Sequence, residues 1–159
     1  MLQENVEMVL SLFEAPDVDY AQLYRDDSLW SGQAEALAPF VHADLECVMY
    51  AFGSEERYAG LDGLRAFMLD WTTPWVTYRI ETEKAIDLGE RVLLLNRDRG
   101  LREGSTQEVE GRIAALFTIR DGKVVRIDAY ITHSRSAWTN GAKASACPLH
   151  RLSSRKSWA

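Results

Sequence analysis

The feature that most constrains the fold of this chain is a succession of three strand-like runs in its second half, over residues 90–100, 106–119 and 123–131. The last two runs are separated by a short turn that contains Asp121 and Gly122. An Asp-Gly turn between apolar, strand-forming residues is the strongest short-range signal of a β-hairpin. The second half of the chain therefore predicts consecutive antiparallel strands.

The first half of the chain carries helical patterns and two further strand-like runs. Apolar residues recur with a helical period over 2–14 and again over 61–71, where they share one face. Residues 42–52 and 75–87 are interpreted as strands. Helices followed by a curved antiparallel sheet predict an α+β fold, and we expect the functional site on its concave side.

The composition is typical of one globular domain. The 159 residues are 47% hydrophobic and 26% charged, which is enough to bury a core. No apolar run approaches the roughly 20 residues that a membrane span needs, and residues 1–14 lack a secretion signal. Cys47 and Cys147 have no metal-ligand spacing. We therefore expect a cytoplasmic protein that has no membrane association and reduced cysteines.

The charges are unevenly distributed along the chain. The net charge of −6 argues against nucleic acid as a partner. Up to Asp128 there are 24 acids and 13 bases, a balance of −11, whereas the chain beyond has five bases and no acid. We expect one domain over 1–141 and a basic tail over 142–159. The tail is interpreted either as a solvated, disordered segment or as one that docks on the acidic body or on a partner.

Three motifs carry a resemblance to a known family. They are the run YAGLDGLRAF at 58–67, the run IRDGKVVR at 119–126, and Tyr130 near the end of the last strand. Their order resembles the nuclear-transport-factor-2-like superfamily, in its SnoaL-like (polyketide-cyclase-like) branch, over about residues 2–140. The resemblance implies a cone-shaped, strongly curved mixed sheet around about three N-terminal helices. It also implies an internal pocket and a homodimer formed through the outer face of the sheet.

Two better-defined chemistries of this superfamily are not supported by the residues. The ketosteroid isomerase branch would need a carboxylate base at Tyr50 or Ala51, a tyrosine near Val9 and an aspartate near Ala114. None of these is present, and the residues found there cannot shuttle a proton at neutral pH as a carboxylate does.

The limonene epoxide hydrolase branch would need an Asp-Arg-Asp trio. Here the arginine matches Arg97, but Arg99 stands where the first aspartate is needed. The third position falls near Ala129, and the neighbouring Asp128 would face the other side of the strand. A shift of one residue in the alignment would restore Asp128 but not both acids, so we expect neither of these two activities.

The same alignments predict which side chains face the pocket. They place inward Leu93, Leu95, Arg97 and Arg99, then Glu110, Arg112, Ala114, Leu116 and Thr118, and finally Val125, Ile127, Ala129 and Ile131. Glu110 is the predicted general acid or base, and Arg97 and Arg112 are predicted to bind an anionic or carbonyl group. The predicted substrate-binding residues are Tyr50, Trp30, Trp71, Arg99, Leu116, Ile127 and Ile131.

A structural role remains an alternative for the charged residues of this set. Arg97 with Glu110, and Arg99 with Glu108, can form cross-strand ion pairs that hold the hairpin. A strand register shifted by one residue would also exchange the two faces of the sheet and remove all these charges from the pocket.

The function expected from the residues and the resemblance is that of a small-molecule pocket protein. Its ligand would be hydrophobic and oxygenated, and the chemistry would be acid/base catalysis without a cofactor: cyclisation, isomerisation or dehydration. No phosphate-binding glycine loop, Ser/His/Asp arrangement or zinc spacing is present, so we expect neither cofactor nor metal. A ligand-binding or dimerisation module without catalysis is the alternative, and an interaction protein that uses the basic tail is a third hypothesis.

Overall fold

The computed structural model describes residues 2–51 and 53–132. Helices dominate the first part and strands the second, and the predicted α+β class is confirmed. The elements, in chain order, are α1 (Leu2–Phe13), α2 (Tyr20–Arg25), α3 (Asp27–Leu37), a 3-10 turn (Ala38–Phe40), β1 (Val41–Ala51), β2 (Ser54–Ala59), α4 (Gly60–Thr72), β3 (Trp75–Asp87), β4 (Arg91–Arg102), β5 (Val109–Arg120) and β6 (Lys123–Thr132). The tail predicted over 142–159 lies outside the described residues.

The six strands form one curved, mixed sheet in the order β2-β1-β6-β5-β4-β3. Neighbouring strands are antiparallel except for the parallel pair of β1 and β6. The predicted hairpin between β5 and β6 is confirmed, with Asp121 at φ 51° and Gly122 at φ 72° in its turn. Two consecutive positive φ angles are the backbone of a type I′ turn, for which Asp-Gly is a preferred sequence.

Irregular strand pairing curves the sheet around the helices. The register of β3 against β4 shifts twice, between Trp75 and Thr77 and between Thr82 and Lys84. A shift of this kind adds a residue on one strand, bends it and increases its twist. The helix α1 contacts β3 and β4, whereas α4 contacts mainly β1 and β2 and, to a smaller extent, β3. The core therefore lies between the concave sheet face and the helices.

Side-chain caps attach the short helices to the sheet. Oδ1 of Asp19 accepts hydrogen bonds from the backbone N–H of Ala21, in the first turn of α2, and from that of Tyr78 in β3, both at 3.0 Å. One carboxylate thus caps a helix and fixes the strand that carries Tyr78.

In α4 the predicted apolar face is buried, including Phe67 and Trp71. Within the described part of the chain, no helix is long and apolar enough to cross a membrane.

Candidate functional site

A cavity of about 90 Å³ lies between the concave face of the sheet and the helices. Its walls are mainly apolar, with aromatic side chains from α1, α2, α4 and β5. These aromatic residues are Phe13, Tyr20, Tyr24, Phe67, Trp71 and Phe117. Apart from the tyrosine hydroxyls and the indole of Trp71, the polar side chains among the described residues of the lining are those of Asn96 and Asp98 on β4. An apolar cavity with a few convergent polar groups is the usual form of a small-molecule site.

The side chains of β4 that face this cavity are at even positions. Val92, Leu94, Asn96 and Asp98 are all buried, and Asp98 is 4% exposed. Gly100 continues the same face, and a Cβ built on it would lie 2.4 Å from Cε3 of Trp75. Strand geometry therefore directs Asp98 towards the interior and the odd-numbered residues towards the outer face.

Two other side chains hold the Asp98 carboxylate. The hydroxyl of Tyr78 donates to Oδ2 of Asp98, and Nε1 of Trp71 donates to the Tyr78 hydroxyl oxygen at 2.6 Å. Tyr78 is 1% exposed. Among the described residues, Oδ1 of Asp98 has no hydrogen-bond partner. One oxygen of the carboxylate is thus fixed by the protein, while the other has no partner in the described part of the chain.

The electrostatics of this group suit proton transfer at neutral pH. Burial raises the pKa of Asp98 from 3.8 to about 7, although the hydrogen bond from Tyr78 opposes the shift. Burial and the nearby Asp98 raise the pKa of Tyr78 well above 10, so the shared proton stays on the phenol. Near pH 7 the carboxyl group therefore populates both its acidic and its basic form, as general acid/base catalysis requires.

Asn96 is the second polar group of the cavity. It is 9% exposed, and its Oδ1 accepts a hydrogen bond from Oγ1 of Thr82 at 3.0 Å. Thr82 is directly opposite Asn96 in the register of β3 and β4. Asn96 and Asp98 are two residues apart on one strand face, which corresponds to a separation of roughly 7 Å along the strand.

The structure places the predicted catalytic trio outside the cavity, so the predicted facing of β4 and β5 is wrong. Arg97 lies on the outer face, where its guanidinium is 3.5 Å from Glu81 and 3.9 Å from Glu110. Arg112 lies on the same face, 3.9 Å from Glu83. The physical reason is the one-residue alternation of a strand: Ile113, Ala115 and Phe117 line the cavity, so even positions of β5 face outward.

The hairpin between β4 and β5 also pairs differently from the prediction. Arg99 is opposite Glu110, and Arg97 is opposite Arg112. An ion pair between Arg97 and Glu110 is present, but it runs diagonally between neighbouring register positions. Arg99, predicted to bind substrate, lies on the outer face, 3.5 Å from Glu81. The Arg97–Glu110 pair of the structural alternative is therefore present on the outer face, whereas Arg99 pairs with Glu81 rather than with the predicted Glu108.

Of the other predicted substrate-binding residues, three line the cavity and three do not. Trp71, Ile127 and Ile131 line the cavity. The remaining three do not line it: Tyr50, Leu116 and Trp30.

Tyr50, Leu116 and Trp30 have structural surroundings instead. Tyr50 donates to Oδ1 of Asp128 at 3.1 Å on the outer face, and its ring stacks on Tyr130 with centroids 4.7 Å apart. Leu116 is opposite Asp128 in the register of β5 and β6, on that same face. Trp30 packs in the core against Tyr24, at 5.4 Å between centroids.

Asp98 is the residue that sequence reasoning missed. The run Val92–Leu95 is apolar at every position, so hydrophobic alternation could not choose its face. The sequence signal lies further along the strand. Burying the neutral amide of Asn96 and the carboxyl of Asp98, which can be protonated, costs less free energy than burying the guanidinium groups of Arg97 and Arg99.

Among the described residues, no group of His, Cys, Asp and Glu side chains is arranged to hold a metal ion.

Comparison with known proteins identifies the family. The model of the SnoaL-like domain matches residues 5–127, and the chain belongs to this family. No curated protein sequence matches the chain.

Solved structures share the fold. A protein from Jannaschia sp. CCS1, provisionally assigned as a SnoaL-like polyketide cyclase, is 20% identical with a TM-score of 0.62, and the match covers 81% of this chain and 85% of that chain. TerC, solved with polyporic acid, is 21% identical with a TM-score of 0.56 over 80% and 91% of the two chains. AclR of Streptomyces galilaeus, provisionally assigned as a hydroxylase, is 16% identical with a TM-score of 0.57 over 82% and 80%. At these identities the likeness shows the nuclear-transport-factor-2-like fold and leaves the substrate open.

Proposed function

We propose that this protein binds a hydrophobic, oxygenated small molecule in its cavity and that Asp98 transfers a proton to and from it without a cofactor. The observation that carries the proposal is a carboxyl group with a pKa of about 7, buried at the polar end of an otherwise apolar cavity. Strongly shifted pKa values in a cavity are typical of catalytic acids and bases. Membership of the SnoaL-like family supports a small-molecule ligand.

The reaction class follows from the chemistry of a single carboxylate. Asp98 removes a proton from a carbon next to a carbonyl group, and the electrons of the broken C–H bond form an enolate. The resulting carboxylic acid then returns the proton. Return to another carbon is isomerisation, and return to a departing hydroxyl group is dehydration. In cyclisation the enolate carbon attacks a second carbonyl of the same molecule, and the new alkoxide takes the proton from Asp98.

The test uses exchange of α-protons for deuterium, which requires only the first step. Cyclohexanone in D₂O is a suitable probe, because it is a small, neutral and enolisable ketone whose α-protons can be followed directly. We expect the protein to accelerate loss of the α-proton NMR signal, with a rate that rises through an apparent pKa of about 7. Asp98→Asn should abolish the acceleration.

The matched control is Glu110→Gln, which changes the acid that the sequence predicted as catalytic and that lies on the outer face. This variant should exchange cyclohexanone at the wild-type rate. Equal rates for wild type and Asp98→Asn would refute the proposed chemistry. Binding of cyclohexanone without exchange would then leave a ligand-binding module as the function.

We also propose a homodimer formed through the outer face of the sheet, as the family resemblance implies. The stacked rings of Tyr50 and Tyr130 provide apolar area on this face. Light scattering after size-exclusion chromatography should give about twice the mass of the chain, and Tyr130→Glu should reduce it to that of a monomer. A monomeric wild-type protein would contradict this proposal.

A further inference from the structure

The cavity contains a second polar group whose hydrogen-bonding capacity is only partly used. An asparagine amide has one acceptor oxygen and two N–H donors. In Asn96 the oxygen accepts the hydrogen bond from Thr82, while none of the hydrogen bonds found among the described residues has Nδ2 of Asn96 as its donor. In this arrangement the Thr82 hydroxyl occupies the amide oxygen, and Nδ2 is the group left available to the cavity.

The position of this donor relative to Asp98 matches the geometry of a carbonyl compound that loses an α-proton. Both side chains leave the same face of β4 and line the same cavity, roughly 7 Å apart along the strand. This is the spacing of the two Cα positions, and it is compatible with a carbonyl oxygen about 3 Å from the amide while the neighbouring carbon lies at the carboxylate. The oxygen then contacts the amide, and the carbon contacts the carboxylate.

The charge of the cavity selects among carbonyl compounds. Among the described residues that line it there is no lysine, arginine or histidine, and Asp98 contributes the negative charge. A ligand carrying a carboxylate or phosphate would enter an apolar space beside an anion, with no cation to pair it. Uncharged ketones avoid this cost.

We propose that Nδ2 of Asn96 donates a hydrogen bond to the carbonyl oxygen of a neutral, enolisable ketone, and that Thr82 is the positioning residue that anchors this amide through its oxygen. The proposal rests on the proposed function only for the role of Asp98 as the base. As the proton moves to Asp98, negative charge develops on the ketone oxygen, where a preorganised N–H donor stabilises it. Hydrogen bonds to charged groups are stronger than those between neutral ones, so the contact favours the enolate over the ketone.

The direct test measures the carbonyl group rather than turnover. Infrared difference spectra of cyclohexanone labelled with ¹³C at the carbonyl report a hydrogen bond to the oxygen as a shift of the C=O stretch to lower wavenumber. We expect this shift in the wild-type protein and in Asp98→Asn, because Asn96 is intact in both. Asn96→Leu should remove it while keeping the branching and the number of heavy atoms of the side chain, and Thr82→Val should weaken it because the amide is then free to rotate.

Affinity supplies a second, independent readout. Methylenecyclohexane has nearly the shape of cyclohexanone but no acceptor oxygen. A net hydrogen bond corresponds to up to about a tenfold preference for the ketone, and we expect this preference to approach one in Asn96→Leu. Loss of a donor to a developing oxyanion typically lowers the rate about 100-fold, and the same loss is expected in α-proton exchange. Circular dichroism and thermal unfolding of each variant identify any that fail to fold, and Thr82→Val then provides the test with the amide retained.

The outcomes separate this inference from the proposed function. A shifted C=O stretch that depends on Asn96, without any exchange, would support the oxygen contact and overturn the role of Asp98 as a base. Exchange that depends on Asp98, with an unshifted C=O stretch or with no effect of Asn96→Leu, would support the base and overturn the oxygen contact. Preference for an anionic ketone such as a keto acid over cyclohexanone would overturn the proposed substrate class.

Discussion

The burial of Asp98 predicts a specific cost to stability that depends on pH. An aspartate whose pKa is 3.8 in the unfolded chain and about 7 in the folded protein releases its proton more easily after unfolding. Between these two values the folded state holds one more proton than the unfolded state. The free energy of unfolding therefore falls as the pH rises from about 4 to about 7, and it is constant with respect to this group above that range.

The magnitude follows from the size of the pKa shift. A shift from 3.8 to about 7 is roughly three units, and at about 1.4 kcal/mol per unit the full loss is about 4 kcal/mol. About 3 kcal/mol of this falls between pH 5 and pH 8. Asp98→Asn has no such titration, and its amide oxygen can still accept the hydrogen bond from Tyr78. The variant should therefore gain stability relative to wild type by that amount over this interval.

Urea unfolding followed by tryptophan fluorescence measures the effect at a series of pH values. The informative quantity is the difference between Asp98→Asn and wild type, because the other titrating groups cancel in it and any constant effect of the amide is removed by comparing pH 5 with pH 8. Glu110→Gln, with its half-exposed side chain, is the control and should follow wild type closely. Parallel curves for Asp98→Asn and wild type from pH 5 to pH 8 would refute the reasoning.

Three further results are expected from the surroundings of this group. Tyr78→Phe removes the hydrogen bond that opposes the burial effect, so the apparent pKa of Asp98 in exchange kinetics should rise; an unchanged or lower value would contradict the contact. Gly100→Ala places a Cβ against the Trp75 ring and should cost about 1–3 kcal/mol of unfolding free energy in urea. Gly32→Ala, in open space on α3, should instead gain up to about 1 kcal/mol, and equal effects of the two glycine changes would contradict the close approach at Gly100.

The elements that the sequence predicted well are those in which local chemistry and tertiary packing agree. The turn at Asp121 and Gly122 needs two positive φ angles, and few other residue pairs supply them at low cost. The helix over Gly60–Thr72 has one apolar face that matches its period, and that face is buried. In both cases a single local pattern was sufficient because no alternative pattern competed with it.

The site was not predicted, because its identity depends on which face of β4 is buried. The apolar run Val92–Leu95 fits either face of the sheet. The match of Arg97 to the arginine of the limonene epoxide hydrolase branch favours the face that the structure shows to be the outer one. What decides the face is the pairing of β4 with β3, where the small Gly100 accommodates the Trp75 ring. That contact joins residues 25 positions apart, so no local pattern reveals it.

The wrong facing of β4 and β5 explains why the sequence indicates Glu110, and not Asp98, as the general acid or base. On the correct register Glu110 is one member of an outer ion-pair array, where charges are partly solvated and each pair contributes little. Asp98 is the one acid among the described residues that line an apolar cavity, where burial has a large effect on its pKa. A shift of one residue in the strand thus exchanges a structural acid for a candidate catalytic one.

The most direct test of the proposed site is a titration of the Asp98 carboxyl carbon by ¹³C NMR, identified by comparison with Asp98→Asn and repeated in the presence of cyclohexanone. The structure predicts a pKa of about 7 and a resonance that moves when cyclohexanone is added, because the same group titrates and contacts the ligand. A pKa near 4, together with a resonance that cyclohexanone leaves unchanged, would contradict the assignment of Asp98 as the proton-transfer group.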